Sequence, residues 1–227
     1  CRDLNITCLI NGEISYSFFP SPRINLNNFI IKDFSEKKKI LARVENVALK
    51  LYLNNLLNKQ EIIYREIDLE KLELYFNFKN LNNYKNFYKK RIQTKSINIK
   101  KSKIKFYDDD QYITSINNLT FSFRSRKNLT KSNLDGDFLG DKIHVKLENN
   151  IVDKKNSQFI LLKFFKSGFF VKANMLNPIL EKNVTEGNIL LKKDKNRLTS
   201  TFDYKDGKIN VKNATLKNPF MDGKMSG

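Results

Sequence analysis

The chain has 227 residues, with 42 Lys and Arg against 24 Asp and Glu, giving a formal net charge of +18 at pH 7. Apolar residues make up 40% and aromatic residues 12%, so the chain is too apolar to be intrinsically disordered and long enough to bury a core. Two cysteines and one histidine exclude a disulfide-dense scaffold, a cysteine zinc site and a multi-histidine metal site.

The basic residues are unevenly chosen. Lysine supplies 34 of the 42 and arginine only 8, and the chain has 30 asparagines but 4 alanines. High Lys, Asn, Ile and Phe with low Ala and Arg is typical of an AT-rich genome. The charge therefore partly reflects codon usage, and +18 alone is a weak indication of a nucleic-acid partner.

Apolar and polar residues alternate with a period of two along most of the chain, which predicts β-strands. In chain order the alternating apolar residues are Tyr16 and Phe18; Ile24 and Leu26; Val47, Leu49, Leu51 and Leu53; Ile67, Leu69, Leu72, Leu74 and Phe76; Ile97, Ile99, Ile104 and Phe106; Leu119, Phe121 and Phe123; Ile143, Val145 and Leu147; Leu198, Phe202 and Tyr204; and Ile209, Val211 and Leu216. Strict alternation indicates antiparallel strands with one face in water.

Glycine-containing segments lie between or beside these strands and predict turns. They are Asp135-Gly136, Leu139-Gly140-Asp141, Ser167-Gly168, Glu186-Gly187-Asn188, Asp206-Gly207 and Asp222-Gly223. The clearest is Asp206-Gly207, which predicts a hairpin over 199–216. Helix is scarce: residues 82–93 have the spacing of one short amphipathic helix, and 53–57 and 174–182 could each hold a turn or two.

One pattern occurs four times: two alternating apolar residues, a polar break, then further apolar residues. The copies begin at Ile24-Asn-Leu26, Ile67-Asp-Leu69, Ile97-Asn-Ile99 and Ile209-Asn-Val211. Their variable spacing excludes a strict solenoid and predicts successive strands of one meandering sheet. We therefore expect residues 1–227 to form a single β domain, cut from a longer chain, with 79–95 as the candidate subdivision.

Two architectures explain the alternation. A two-layer sandwich would bury the apolar parity between sheets. A single curved antiparallel sheet would instead present one long apolar face, which soluble proteins avoid unless it binds something, and acyl chains are suitable occupants. The alternation alone does not choose. In either case the apolar-face residues, and so the lipid-facing candidates, are Ile97, Ile99, Ile104, Phe106, Leu119, Phe121 and Phe123.

Catalytic and metal-binding motifs find no positive support. Asp108-Asp109-Asp110 could bind a cation, but it lacks calcium-loop spacing and is better interpreted as a charged hairpin tip. His144 lies on the polar parity of its strand, and no orienting acid or nucleophile is indicated nearby, so we interpret it as an exposed structural residue. No phosphate-binding loop or nucleophile elbow occurs. We predict no enzyme activity, no cofactor and no metal.

The two cysteines, Cys1 and Cys8, are seven residues apart. On one strand they would face opposite sides, so a disulfide between them would need a tight turn. We interpret them as small buried or half-buried residues, and they leave the redox compartment open.

Residues 79–131 carry 14 Lys and Arg against 3 Asp and Glu, with Tyr84, Phe87, Tyr88 and Tyr107 interleaved. A basic groove with stacking aromatics would bind single-stranded nucleic acid. The alternatives are a solvated lysine face and a surface that attracts anionic lipid headgroups. We expect no nucleic-acid partner, since the cluster is mostly lysine and its aromatics fit apolar faces. The headgroup candidates are Lys100, Lys101, Lys103 and Lys105.

Several segments resemble the AsmA family. They are Ile10-Asn-Gly12-Glu-Ile14 with Phe19-Pro20-Ser-Pro-Arg-Ile24-Asn-Leu26; the alternating strand Ala42 to Leu51 with Leu56-Leu57 and Ile67-Asp-Leu69; and the glycine-containing hairpins of 207–227. The resemblance covers residues 8–76 and 197–227, while the middle of the chain is similar only in style.

The resemblance implies a Gram-negative envelope protein, anchored by an N-terminal inner-membrane helix outside this fragment. Its periplasmic part would be an elongated, mostly antiparallel β-groove that binds phospholipid acyl chains in lipid transport and outer-membrane assembly. Such families include TamB-like and YhdP-like proteins, and no catalytic residues come with the resemblance. The alternatives are a structural β scaffold for outer-membrane protein assembly and, third, a basic nucleic-acid-binding module.

Overall fold

The computed structural model describes residues 6–33, 39–53, 64–84, 94–152, 155–178, 184–205 and 208–226. Within these ranges the chain is mainly β, with a short 3₁₀ turn, Phe78–Asn80, that leads into helical residues 81–84. The strands of each part of the chain belong to a single sheet rather than to two stacked sheets. The predicted fold class, mainly β with a largely antiparallel sheet and little helix, is confirmed, and the sandwich alternative is not.

The strands are numbered in chain order. They are β1 (Cys8–Ile10), β2 (Ile14–Ser17), β3 (Arg23–Lys32), β4 (Ile40–Leu51), β5 (Tyr64–Asn77), β6 (Ser96–Asp108), β7 (Gln111–Arg126), β8 (Leu129–Phe138), β9 (Asp141–Val152), β10 (Lys155–Phe164), β11 (Phe170–Pro178), β12 (Val184–Lys193), β13 (Asn196–Lys205), β14 (Lys208–Lys217) and β15 (Asp222–Ser226).

The chain divides into two compact units. The first contains residues 1–123 and 136–139, and the second contains residues 124–135 and 140–227. Strands β7 and β8 contribute residues to both units. The candidate subdivision at 79–95 lies inside the first unit.

In the first unit, β3 pairs with β4 and β4 with β5 in antiparallel register. The edge beside β3 is occupied by two short strands, β1 along one half and β2 along the other. Gly12 lies between these two strands. A Cβ atom at this position would lie only 2.8 Å from the carbonyl oxygen of Asn27 on β3, so a larger residue would not fit. Glycine thus allows the edge chain to pass close to β3.

Strands β5 and β6 are parallel, which departs from the antiparallel expectation. A parallel pair needs a crossover connection, and the chain between Asn77 and Ser96 provides it. The Tyr84 hydroxyl accepts a hydrogen bond from the Asn77 N–H at 3.0 Å, and its ring stacks on Phe76 at 4.6 Å. The predicted helix over 82–93 is helical as far as residue 84, and the rest lies outside the described residues.

In the second unit, strands β9 to β15 form an antiparallel meander in which each strand pairs with the next. The predicted hairpin over 199–216 is confirmed by the pairing of β13 with β14, although Asp206 and Gly207 themselves lie outside the described residues. Of the turn of helix considered over 174–182, residues 174–178 belong to β11, so the prediction is wrong there, and 179–182 lie outside the described residues.

Of the six predicted glycine turns two are confirmed and three are wrong, while Asp206-Gly207 lies outside the described residues. Leu139-Gly140 and Ser167-Gly168 do lie between strands. Gly136, Gly187 and Gly223 instead lie inside β8, β12 and β15. A Cβ atom on Gly187 would lie 2.6 Å from the Phe202 ring, so this glycine leaves room for a neighbouring side chain rather than turning the chain.

The polar break in the fourfold pattern has a structural cause. In β3, β5 and β6 it holds a residue with positive φ: Asn28 (52°), Lys71 (55°) and Lys101 (51°). In β14 the strand register shifts, so that the backbone of Lys212 has no residue opposite it in β13. At Lys212 one extra residue is inserted, whereas at Asn28, Lys71 and Lys101 the neighbouring strands stay in register. In each case the apolar residues before and after the irregularity have opposite parity but share one face.

Candidate functional site

One face of the first unit's sheet is apolar across four neighbouring strands. Residues opposite each other in register lie on the same face. The rows, from β3 to β6, are Ile24, Leu49, Ile67 and Ile97; Leu26, Val47, Leu69 and Ile99; Phe29, Val44 and Leu72; and Ile31, Ala42, Leu74 and Ile104. The fourfold pattern therefore builds one continuous apolar face.

This apolar face has a buried centre and a half-buried margin. The buried residues are Leu26, Ala42, Val44, Val47 and Leu72. The half-buried residues packed against them are Ile24, Phe29, Ile31, Leu49, Leu69, Leu74 and Ile99. The centre stabilises the unit, and the margin leaves apolar side chains accessible.

Ser102 is a polar residue at an apolar position of β6, and it is only 4% exposed. Its hydroxyl accepts a hydrogen bond from the Leu72 N–H at 2.9 Å and donates one to the Lys100 carbonyl at 2.7 Å. The positive φ at Lys101 interrupts the regular ladder here, and Ser102 satisfies the freed Leu72 N–H. Ser102 was not among the residues predicted from the sequence, although its spacing of two from Ile104 places it on the apolar face.

The predicted lipid-facing residues of β6 share the apolar face. Ile97, Ile99, Ile104 and Phe106 pair in register with Ile67, Leu69, Leu74 and Phe76, and all four are half-buried. Phe106 lies in an aromatic cluster, 5.7 Å from Phe76 and 6.0 Å from Phe78 between ring centres.

On β7 the predicted residues differ in burial. Leu119 is 1% exposed, so it is a core residue, whereas Phe121 and Phe123 are half-buried. A ligand could reach the two phenylalanines but not Leu119 in this conformation. Contact with lipid at all seven positions stays a prediction.

The predicted headgroup lysines lie on the polar face of β6 and are mostly ion-paired. Lys101 binds Glu70 at 2.7 Å, and both Lys103 and Lys105 bind Glu73. Lys100 is exposed and lies opposite Glu70 in register. Burial raises the pKa of Glu73, but hydrogen bonds from Lys105, Tyr75 and Lys103 outweigh it and bring the pKa down to about 2.

A second charged cluster lies on this polar face. Lys50 on β4 contacts Glu66 at 2.7 Å and Asp68 at 2.8 Å, and the Asn98 amide donates to both carboxylates. These hydrogen bonds raise the pKa of Lys50. Burial raises the pKa of Asp68, but hydrogen bonds from Lys50 and Asn98 outweigh it, so the net shift is downward. The acids of β5 thus neutralise lysines on both neighbouring strands.

The second unit has its own apolar face. Its main rows, from β9 to β14, are Val145, Leu162, Val171, Leu191, Leu198 and Leu216; and Leu147, Ile160, Ala173, Ile189, Ser200 and Ala214. The face is more exposed than that of the first unit: of these twelve only Ala173 and Ala214 are buried, and Leu147 is 44% exposed.

Asparagines interrupt this apolar face where its rows become polar. Asn149 lies opposite Gln158, and Asn156 lies opposite Asn177. The Oδ1 atoms of Asn149, Asn156 and Asn177 are buried without a hydrogen-bond partner. Buried polar atoms are normally paired, so this amide group can hydrogen-bond a polar group brought by a ligand.

The polar face of the second unit carries lysines beside phenylalanine rings. Lys146 and Lys172 lie 5.6 and 5.7 Å from the centre of the Phe159 ring, and Lys163 lies 6.0 Å from that of Phe170. Such contacts attract a cation to the ring face. A depression of about 390 Å³ on this unit is lined by Asn174, Glu186, Asn188, Thr201, Asp203 and Lys212, among others.

The acidic run 108–110 forms a strand end and a turn, which confirms the hairpin-tip interpretation. Asp109 has a φ of 58° and pairs with Lys79 at 2.6 Å, while Asp110 pairs with Lys39 at 2.7 Å. Lysine side chains thus satisfy two of the three carboxylates. In the ranges that the structure describes, no three His, Cys, Asp or Glu residues lie close enough to hold a metal ion.

His144 has an acidic neighbour that the sequence did not indicate. Its Nδ1 lies 2.7 Å from Oδ1 of Asp135 on β8, and its side chain is half-buried rather than exposed. The interpretation as an exposed residue with no nearby acid was wrong, because the two residues are nine positions apart and only strand pairing brings them together.

Cys8 is disulfide-bonded, so its interpretation as an unbonded small residue was wrong. Cys1 lies outside the described residues. Cys8 is half-buried on β1, opposite Ile31. The alternation of strand faces suggested that a bond was unfavourable, but it took no account of the chain before β1.

Comparison with known proteins gives no match to a family model, to a curated protein or to a solved structure. Among the described residues, no helix combines the length and the apolar composition of a membrane span. The resemblance to the AsmA family therefore stays a prediction.

Proposed function

We propose that this chain is a non-enzymatic lipid-binding protein whose sheet holds acyl chains against its apolar face. The observation that carries the proposal is the pair of apolar faces, one in each unit, whose side chains are mostly half-buried. Large accessible apolar surfaces on a soluble protein usually mark a binding site. A ligand that is itself apolar and flexible, such as an acyl chain, could follow rows of side chains of varying height.

The dimensions of the second unit's face suit such a ligand. Six neighbouring strands spaced about 4.8 Å apart give an apolar track of about 24 Å. Each buried methylene contributes about 0.8 kcal/mol, so ten would contribute about 8 kcal/mol before the entropy cost of association. A micromolar dissociation constant corresponds to about 8 kcal/mol after that cost, so more than ten methylenes must be buried for retention at this concentration.

The setting that we propose is the Gram-negative periplasm, with an inner-membrane anchor outside this chain and a role in phospholipid transport and outer-membrane assembly. The AsmA-like segments support it, and the disulfide at Cys8 is typical of proteins in an oxidising compartment.

The Asp109 and Asp110 ion pairs favour a structural role for the acidic turn over catalysis.

The test is lipid binding by the purified chain. Mass spectrometry of an organic extract should find phospholipid, and a fluorescent fatty acid should bind and be displaced by phospholipid. Val211 and Leu147 are each 44% exposed on the second unit's apolar face, so Val211→Glu and Leu147→Glu should unfold neither unit. Each should weaken probe binding about tenfold or more, because a charge would then lie in the path of the acyl chain.

Asn213→Glu is the matched control. Asn213 is exposed on the same strand as Val211 but points to the opposite face, so this variant should bind the probe normally. Circular dichroism would verify that all three variants are folded. The proposal fails if the folded chain carries no lipid and binds no probe, or if Asn213→Glu loses binding as much as Val211→Glu.

A further inference from the structure

Two turns at one end of the second unit expose large apolar side chains. Phe165, in the turn after β10, is 63% exposed. Phe220 and Met221, in the turn after β14, are 96% and 54% exposed. Apolar side chains that stay exposed at turn tips contribute little burial free energy to folding, so their exposure needs another explanation.

The strand register places these turns at the same end of the sheet. Lys163 pairs with Phe170, Phe170 with Lys192, and Lys192 with Arg197; Arg197 in turn pairs with Lys217. The turns at 165–169, 194–195 and 218–221 follow directly from these paired positions. The meander therefore brings together apolar tips that are 55 residues apart in sequence.

Hydrogen bonds fix the shape of both apolar turns. The buried Asp141 carboxylate accepts from the N–H groups of Lys166 at 2.7 Å and Ser167 at 2.8 Å. The Asn218 side-chain oxygen accepts from the N–H groups of Phe220 and Met221, both at 2.8 Å. The tips are therefore held outward by ordered turns.

Basic residues surround the apolar tips. They are Lys163, Lys166, Lys192, Lys193, Lys195, Arg197 and Lys217. The exposed acids at this end are Asp194 and Asp222, and Asp222 pairs with Lys217 at 3.2 Å. Among the described residues, Lys163, Lys192 and Arg197 have no carboxylate within ion-pair distance. The end thus carries a positive charge that the described residues leave uncompensated.

We propose that this end of the second unit docks on a membrane surface that contains anionic phospholipids. Phe165, Phe220 and Met221 enter the boundary between headgroups and acyl chains, while the surrounding lysines and arginine contact phosphate groups. Protruding apolar tips ringed by cations suit a membrane interface. A nucleic acid would instead require cations along a groove with aromatic rings on its floor. This inference does not depend on acyl-chain binding by the apolar face.

The test is co-sedimentation of the whole chain with vesicles. We expect binding to vesicles of phosphatidylcholine with phosphatidylglycerol, weaker binding at high salt, and little binding to phosphatidylcholine alone. Phe165→Ser with Phe220→Ser should lower the partition coefficient about tenfold or more, because two exposed rings no longer leave water. Lys192→Ala with Arg197→Ala should lower it about 25-fold, at about fivefold for each basic residue.

Ile209→Ser is the matched control, since Ile209 is 67% exposed at the opposite end of β14 and its removal should leave vesicle binding unchanged. The inference is overturned if the Phe165→Ser, Phe220→Ser double variant sediments like the unmodified chain, or if phosphatidylcholine vesicles bind equally well. It is also overturned if a single-stranded oligonucleotide binds more tightly than the vesicles. Fatty-acid probe binding should survive in the double variant, which separates this failure from that of the proposed function.

Discussion

The first unit buries the centre of its apolar face and pairs its lysines with acids, whereas the second unit does neither to the same extent. In the first, Val44, Val47 and Leu72 form a packed cluster, and β5 provides carboxylates to lysines on β4 and β6. In the second, only small or terminal positions of the apolar face are fully buried, and Lys163 and Lys172 lie over phenylalanine rings.

The contrast shows that the same alternation of apolar and polar residues can serve two purposes. Where acids match the lysines and the apolar rows meet at a buried centre, the sheet contributes to stability. Where rows stay half-exposed and cations lack carboxylates, the sheet contributes accessible surface. We therefore expect substitutions in the first unit to act mainly on folding and those in the second to act mainly on binding.

The largest difference between the units should appear in the free energy of unfolding lost when a leucine is truncated to alanine. Leu72→Ala, at the centre of the first unit's face, should lower the free energy of unfolding by about 2–5 kcal/mol, because the buried side chain leaves a void. Leu191→Ala, half-buried on the second unit's face, should cost less than half of that. Urea unfolding monitored by circular dichroism would measure both. Equal losses would mean that the second unit's face is as well packed as the first.

A smaller difference is expected between two serines on apolar rows. Ser102→Ala in the first unit would leave the buried Leu72 N–H without its acceptor and should cost about 1–3 kcal/mol. Ser200→Ala in the second unit removes only a long, exposed contact of 3.5 Å to the Thr201 carbonyl and should be nearly neutral. If Ser102→Ala were also neutral in urea unfolding, the positive φ at Lys101 would not depend on the serine hydroxyl.

Much of the fold could be predicted from the sequence because side-chain alternation is set by local strand geometry. Parity was enough to place Ile97 with Ile99 on one face and, separately, Ile104 with Phe106 on one face. The polar breaks were visible as well, but the effect of a positive φ at Lys71 or Lys101 on side-chain parity was not, since lysine has no distinctive preference for positive φ.

What could not be predicted depends on partners distant in sequence. Gly187 resembles a turn residue until Phe202, fifteen positions later, is found to occupy the space of its missing Cβ. The parallel pairing of β5 with β6 is decided by the crossover connection between them. The alternation of side chains along β6 would be the same in a parallel or an antiparallel pair, so it does not indicate the strand direction. The basic, apolar end of the second unit arises from turns that the meander aligns, so no single segment indicates it.

The smallest effect that we expect is a pH dependence specific to the first unit's charged ladder. The folded-state pKa of Glu73, about 2, lies below its ordinary value of 4.5, so its ionised form stabilises the folded state above pH 4.5. That contribution is lost as the pH falls from 4.5 toward 2, where the carboxylate becomes protonated and Lys105 and Lys103 lose their partner. Glu73→Gln should therefore lower the thermal unfolding midpoint at pH 7 and flatten its decline in this acid range.

Glu186→Gln in the second unit provides the comparison, since the described residues contain no ion pair to Glu186. Its unfolding midpoint should follow that of the unmodified chain at every pH, and the measurement is a series of thermal unfolding curves between pH 2 and pH 7. Parallel curves for the unmodified chain and Glu73→Gln would show that solvent screens the ladder completely. The charge balance of the first unit would then be a matter of solubility, and the contrast between the two units would reduce to their apolar faces.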